Sequence, residues 1–275
     1  MELTFWGVRG TFPVSGPSVD KYGGHTPCAS VVSSKGEIII VDAGTGMKNL
    51  GDRLMDESSG DSLQLNLLFT HFHLDHIMGL PYFAPLYSPL SSVTFYAPTS
   101  SGETEKYLSG LMSGRYFPFD FTETPSQKAF KKIPEADFAI GEIQIAHLRL
   151  NHPQSCVSYC LREGDKSIIF ATDTEHPAKG MDENLVSFAS SSDLFIYDAT
   201  FTPDEYEAGK QGWGHSTWLE GTKIAKEARV KELCLSHFNP SHSDTQVDRI
   251  VSAAQREFAK SGAAREGLNK IFELG

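Results

Sequence analysis

Short apolar runs, rich in β-branched residues, recur along the chain, and each gives way to a polar residue and a turn. Residues 38–41 run into Asp42, 63–70 into His71, 167–171 into Thr172 and Asp173, 194–197 into Asp198, and 233–236 into His237. Runs of this length and content predict buried strands rather than helices. Helical spacing is rarer. Residues 216–228 carry apolar positions at helical intervals behind a Ser or Thr cap, and 244–260 predicts a terminal helix with Val247, Ile250, Val251 and Ala254 on one face. A short helix is predicted over 102–112. The stretch 116–134, rich in Phe and Pro, predicts no regular element and reads as an insertion beside the site, within a wider candidate insertion at 88–140.

Five strands that each end in Asp or His predict one shared site, because layered sheets gather their binding loops along one edge. An Asp after a strand also suits a plain turn, which accounts for Asp42 or Asp198 taken singly. It does not account for His71, His73, His76 and His237 together.

Of the 275 residues, 40% are hydrophobic and 21% charged, enough for one large α/β domain or two small ones. No run approaches the ~18 apolar residues of a membrane span, and the opening MELTFWGVRG has no signal-peptide pattern. The expectation is a cytoplasmic protein with no membrane partner. A formal charge of -11 disfavours a long nucleic acid. The nearest approach to a basic cluster, Lys128, Lys131 and Lys132, reads as a solvated turn or helix face. Cys28, Cys156, Cys160 and Cys234 form no C-x-x-C pair, so reduced thiols are expected.

The sharpest chemical signal is His71-Phe-His73-Leu-Asp75-His76. Four metal-competent side chains in six residues are costly unless something ligates them. His71 and His73, two apart on an extended segment, share a side and can grip one ion. Asp75 and His76 fall after the turn, at the predicted start of a helix near Ile77, and face a second. Imidazole and carboxylate suit zinc, manganese, iron or nickel.

This motif resembles the signature of the metallo-β-lactamase superfamily. Asn151-His152-Pro153, Ala171-Thr172-Asp173-Thr174 and Ser236-His237-Phe238 follow in that superfamily's order. The resemblance implies a four-layer αββα sandwich formed as a single domain over 1–275. It implies two divalent ions, zinc foremost with manganese or iron as alternatives. His71, His73 and His152 would hold the first, and Asp75, His76 and His237 the second, with Asp173 bridging. His147, inside the alternating run IAHLRL, competes with His152 for the third position. Such a pair of ions activates water towards hydroxide at neutral pH and favours an anionic substrate.

Thiolesters, lactams, lactones and phosphodiesters are all cleaved on this fold. Tyr197-Asp198-Ala199-Thr200-Phe201, followed by Gly214-His215-Ser216-Thr217, is similar to the segment of RNA 3′-processing nucleases and small phosphodiesterases that supplies an extra, non-ligand histidine. The implied roles are His215 as proton donor to the leaving alkoxide and Asp198 as its orienting carboxylate. Helix packing for His215 and a turn role for Asp198 remain open. Gly7-Val-Arg-Gly-Thr11, with the segment 23–28, is similar to the opening of the same branch and predicts a tight loop over the site. His25 is not assigned. The leading expectation is a dinuclear hydrolase of a small anionic phosphodiester, such as a cyclic nucleotide. A thiolester or lactone hydrolase, or a non-catalytic nucleotide sensor, are the alternatives. A homodimer is the assembly the resemblance implies.

Overall fold

Ile39 faces one apolar core and its neighbour Ile40 another, as successive residues of a strand must. That division sets the layering of the chain. The computed structural model describes residues 1–274. In chain order the elements are β1 (Glu2–Gly7), β2 (Cys28–Val32), β3 (Ile38–Val41), α1 (Met47–Ser58), β4 (Leu63–Leu68), β5 (Ser91–Ala97), α2 (Ser101–Leu111), β6 (Gln127–Lys132), β7 (Phe138–Ile140) and β8 (Ile143–Arg149). There follow β9 (Val157–Glu163), β10 (Lys166–Ala171), α3 (Glu183–Phe188), β11 (Leu194–Asp198), α4 (Pro203–Glu207), α5 (Trp218–Glu227), β12 (Leu233–Ser236), α6 (Asp244–Glu257), β13 (Ser261–Ala263) and β14 (Asn269–Ile271).

The strands form two seven-stranded sheets, ordered β14-β1-β2-β3-β4-β5-β6 and β13-β12-β11-β10-β9-β8-β7. Each has an antiparallel half and a parallel half: β3 to β6 run parallel in the first sheet, and β10 to β13 in the second. Of these, β3, β10, β11 and β12 are almost wholly buried and read as near-continuous apolar runs. Leu3, Val31, Ile39, Tyr159 and Phe170 belong to the core that the sheets share. Ile40, Leu65 and Leu67 instead pack with Met47, Leu50 and Leu54 of α1. Each such buried Leu contributes about 1.5–3 kcal/mol. On the far side, α5 and α6 cover the second sheet through Ile224, Ala225, Val247 and Ala254. The layers are therefore helix, sheet, sheet, helix, the αββα sandwich expected.

The predicted helices stand, with Thr217 capping α5 and Ser243 capping α6 through their side chains. Elsewhere the structure corrects the sequence. The 88–140 segment, a candidate insertion, supplies β5 and β6 to the first sheet and β7 to the edge of the second. Lys128, Lys131 and Lys132 lie on β6, an edge strand, and not on a turn or helix. Lysines there discourage edge-to-edge pairing. Asp75 and His76 lie in a single 3₁₀ turn, Leu74–His76, and no α-helix begins at Ile77. Further short turns with Pro81 and Pro85 near their starts follow. All four cysteines are buried and free. Among the described residues no helix is long and apolar enough to cross a membrane.

Candidate metal centre

Register brings the functional loops to one edge. Ala171, Tyr197 and Leu235 stand in one row across β10, β11 and β12, so Asp173 and His237 leave the sheet beside Asp198, the last residue of β11. Val41 and Leu68 are likewise paired, placing Asp42 beside the loop that follows β4. Asp42, Asp173 and His237 take left-handed backbone angles, φ 61°, 58° and 59°. Each carries strain of roughly 1–2 kcal/mol for a residue with a Cβ.

The loops converge on two donor sets, and a third, overlapping group joins Asp173 and His237 with His215. His71, His73, His152 and Asp173 each offer one ligand atom, all within 4.8 Å of one another, and so do Asp75, His76 and His237. His152 Nε2 is 3.0 Å from His73 Nδ1, and His76 Nε2 is 3.4 Å from His237 Nε2. Asp173 stands between the sets. Its Oδ1 is 3.9 Å from His71 Nε2, while Oδ2 is 3.1 Å from His76 Nε2 and 3.3 Å from His237 Nε2.

The outward nitrogens of these rings are held. His76 Nδ1 meets Asp42 Oδ2 at 2.8 Å, His237 Nδ1 meets Thr200 Oγ1 at 3.0 Å, His71 Nδ1 meets Thr70 Oγ1 at 3.1 Å, and His152 Nδ1 meets the Gly214 carbonyl at 2.7 Å. Such outer contacts fix the ring and present the other nitrogen to an ion. Asp42 also accepts the Thr70 N–H and hydroxyl, which ties the ends of β3 and β4 together.

Burial, reinforced by His76, holds the His71 imidazole well below its usual basicity. Burial likewise lowers His73 and His152. Neutral imidazole is the ligating form. Burial opposes charge on His76, yet Asp173, Asp75 and Asp42 raise it well above the ordinary value. Burial would raise Asp173 and Asp75, but the surrounding histidines keep both below the carboxylate range. His71 Nε2 and Asp173 Oδ2 are buried with no well-directed hydrogen bond. Facing donors, unpartnered buried atoms and concentrated carboxylate charge together fit divalent cations.

His215 lies alongside. Its Nδ1 is 3.0 Å from Asp198 Oδ2 and 3.8 Å from Asp173 Oδ1. Burial lowers its basicity, but Asp198 outweighs that and pushes it up to about 9. Asp198 is fully buried and accepts the N–H groups of Asp173, Thr200 and Ser216, so it serves the turn as well as the imidazole. The N-terminal loop packs over the centre. The Thr11 N–H donates to Asp75 Oδ2 at 2.7 Å, and a Cβ on Gly10 would lie 2.4 Å from the His237 ring. His147 is remote, with Nε2 2.8 Å from the Pro134 carbonyl, and His25 Nδ1 meets Thr45 Oγ1 at 3.1 Å. Asp42 was legible as a strand-end residue of the shared site though not as the partner of His76; Thr70 and Thr200 were not legible as parts of the site.

Fold and donors together define a metal-dependent hydrolase. The family profile "Beta-lactamase superfamily domain" matches residues 38–238, and the chain belongs to the β-lactamase superfamily. Ribonuclease Z of Thermoplasma acidophilum is 22% identical over an alignment covering 97% of this chain and 94% of that protein. The crystal structure of YhfI from Bacillus subtilis superposes with a TM-score of 0.72 at 20% identity, covering 98% of each chain. A diphosphatase of the PhnP family gives 0.69 at 18% identity, covering 99% of this chain and 98% of that one. At these identities the likeness to solved structures is one of fold.

Proposed function

We propose that the chain is a dinuclear metal-dependent phosphodiesterase acting on a small anionic diester. The carrying observation is the Asp198–His215 pair, 3.0 Å apart at the rim of the donor sets. His71, His73, His152 and Asp173 would hold one ion, and Asp173, Asp75, His76 and His237 the other; zinc suits the donors best, and manganese or iron would also fit. Bound there, the ions would supply an activated water and charge compensation for the phosphoryl oxygens. The chain's own contribution is a proton. In diester hydrolysis an oxygen–phosphorus bond forms to water and the bond to the leaving oxygen breaks, leaving an electron pair on a poor alkoxide. With Nδ1 of His215 committed to Asp198, Nε2 is the nitrogen free to protonate that oxygen. Asp198 fixes the ring's orientation and supports its charge.

The names of the relatives support a phosphoester substrate. Ribonuclease Z, as the name of a protein aligned over nearly the whole chain, also favours a second reading, an RNA 3′ end. The formal charge of -11 weighs towards the small diester. Metal-replete protein should hydrolyse bis-p-nitrophenyl phosphate and a cyclic nucleotide faster than an acyl-glutathione. Turnover of the thiolester alone would overturn the proposal. Cleavage of a structured RNA with a 3′ trailer, without activity on small diesters, would favour the second reading. Tight cyclic-nucleotide binding without turnover would mark a sensor.

A further inference from the structure

Beside the first donor set the surface opens into a cavity of about 710 Å³, with His71 in its wall. That volume accommodates a nucleotide-sized ligand. Much of the wall does nothing for the donor sets. Phe72 and Tyr107 meet edge to face at 5.1 Å and 63°, and Tyr107 keeps 41% of its surface exposed at the cavity's side. Pro98 adds a further apolar surface, and Gln154, two residues after His152, adds a polar one. Lys106, on α2, is exposed and lines the same cavity; among the described residues it makes no close ion pair, and its charge acts on the Glu103 carboxylate one turn away. Partly exposed rings at a cavity favour an aromatic occupant, and an exposed ammonium beside them favours an anionic one. His215 does not line this cavity.

We infer that the cavity takes a nucleobase-sized aromatic group carried by the ester oxygen that stays on phosphorus, with Lys106 meeting a second anionic group of the same ligand. The inference rests on the phosphodiesterase reading for the reaction, but its binding can be measured apart from it. Because the proton donor lies outside the wall, the leaving group departs elsewhere, and the nucleoside monophosphate is the product left in the cavity.

Two diesters with one leaving group test this: the p-nitrophenyl ester of thymidine 5′-monophosphate and methyl p-nitrophenyl phosphate. In each, water adds to phosphorus and p-nitrophenolate departs with its electron pair, so only the retained group differs. The thymidine ester should show a kcat/KM at least tenfold higher, and Tyr107→Ala should lower that selectivity ratio about tenfold. Equal use of both esters, or a ratio unmoved in the variant, overturns the inference while leaving the phosphodiesterase reading intact. If neither ester is cleaved, that reading fails, and calorimetry on the metal-loaded protein still decides the cavity. There, adenosine 3′,5′-bisphosphate should bind more tightly than adenosine 5′-monophosphate or inorganic phosphate, and Lys106→Ala should abolish the difference. Equal binding of the two nucleotides to the unaltered protein, or a preference that survives the substitution, refutes the role of Lys106.

Discussion

The carbonyl oxygen of Gly214 accepts a hydrogen bond from His152 Nδ1 at 2.7 Å, so one backbone atom aims an imidazole of the first donor set. Close approach demands glycine, because a Cβ there would lie 2.4 Å from His152 Nδ1, and φ is +81°. The loop is in turn held by Glu175. Its Oε2 accepts the Gly214 N–H at 2.8 Å, and its Oε1 accepts the Gly212 N–H at 2.6 Å and the Tyr206 hydroxyl at 2.7 Å.

Glu175→Ala should therefore weaken metal binding without removing a ligand. Losing an outer partner of this kind costs about 10–100-fold in affinity. Plasma emission after dialysis against buffered zinc would measure it, with Glu175→Gln retaining part of the affinity. Unchanged metal content would mean that the loop holds itself.

His215→Ala should keep both ions and slow hydrolysis of diesters with alkoxide leaving groups by about 10²–10⁴-fold. On p-nitrophenyl esters, whose leaving group needs no proton, the loss should be small. A Brønsted plot of rate against leaving-group pKa would become steeper in the variant. Parallel lines for the two proteins would count against proton donation.

Chelation should destabilise the fold, because it leaves buried carboxylates and imidazoles facing one another. Scanning calorimetry should record a fall in Tm of roughly 5–10 °C. Asp173, whose two oxygens face the two donor sets, has the most to lose. Asp173→Ala should lack at least one ion per chain, and full occupancy would exclude a bridging role.

Glu163, far from the centre on β9, sets part of the acid stability. Burial would raise its carboxyl, but the Ser34 N–H at 2.9 Å and hydroxyl at 2.5 Å bring it below the usual value. A depressed carboxylate stabilises the fold above its unfolded pKa, and the contribution is lost as pH falls through the folded value. Glu163→Gln should cost about 1 kcal/mol at pH 7, and the gap should close under acid. Urea midpoints taken at neutral pH and near pH 3 would show it; a gap that widened in acid would reverse the assignment.

The strands and the H-x-H-x-D-H centre were legible because apolar runs and their polar ends are local features. His152 could be preferred to His147 because the latter sits within an alternating strand, and it does lie on β8. Helix α1 was not legible. Its N-cap residue, Gly46, has no side chain to cap it, and it contains Gly51, which the close backbone of Ala84 requires. β6 was hidden because QKAFKK reads as solvated charge, and only its edge position explains lysine in a strand. Glu175 carried a faint signal, a carboxylate two residues beyond Asp173, but its partners lie 31 to 39 residues away. No local pattern reports such a partner.

Each donor set draws on both halves of the sandwich. His71 and His73 come from the loop after β4, and His152 and Asp173 from the second sheet's loops; Asp75 and His76 face His237 in the same way. Ions seated there would act as rivets through a seam. Neither slab could slide along the other without tearing coordination on both sides, so occupancy would report whether the two halves remain docked, long before any strand unravels.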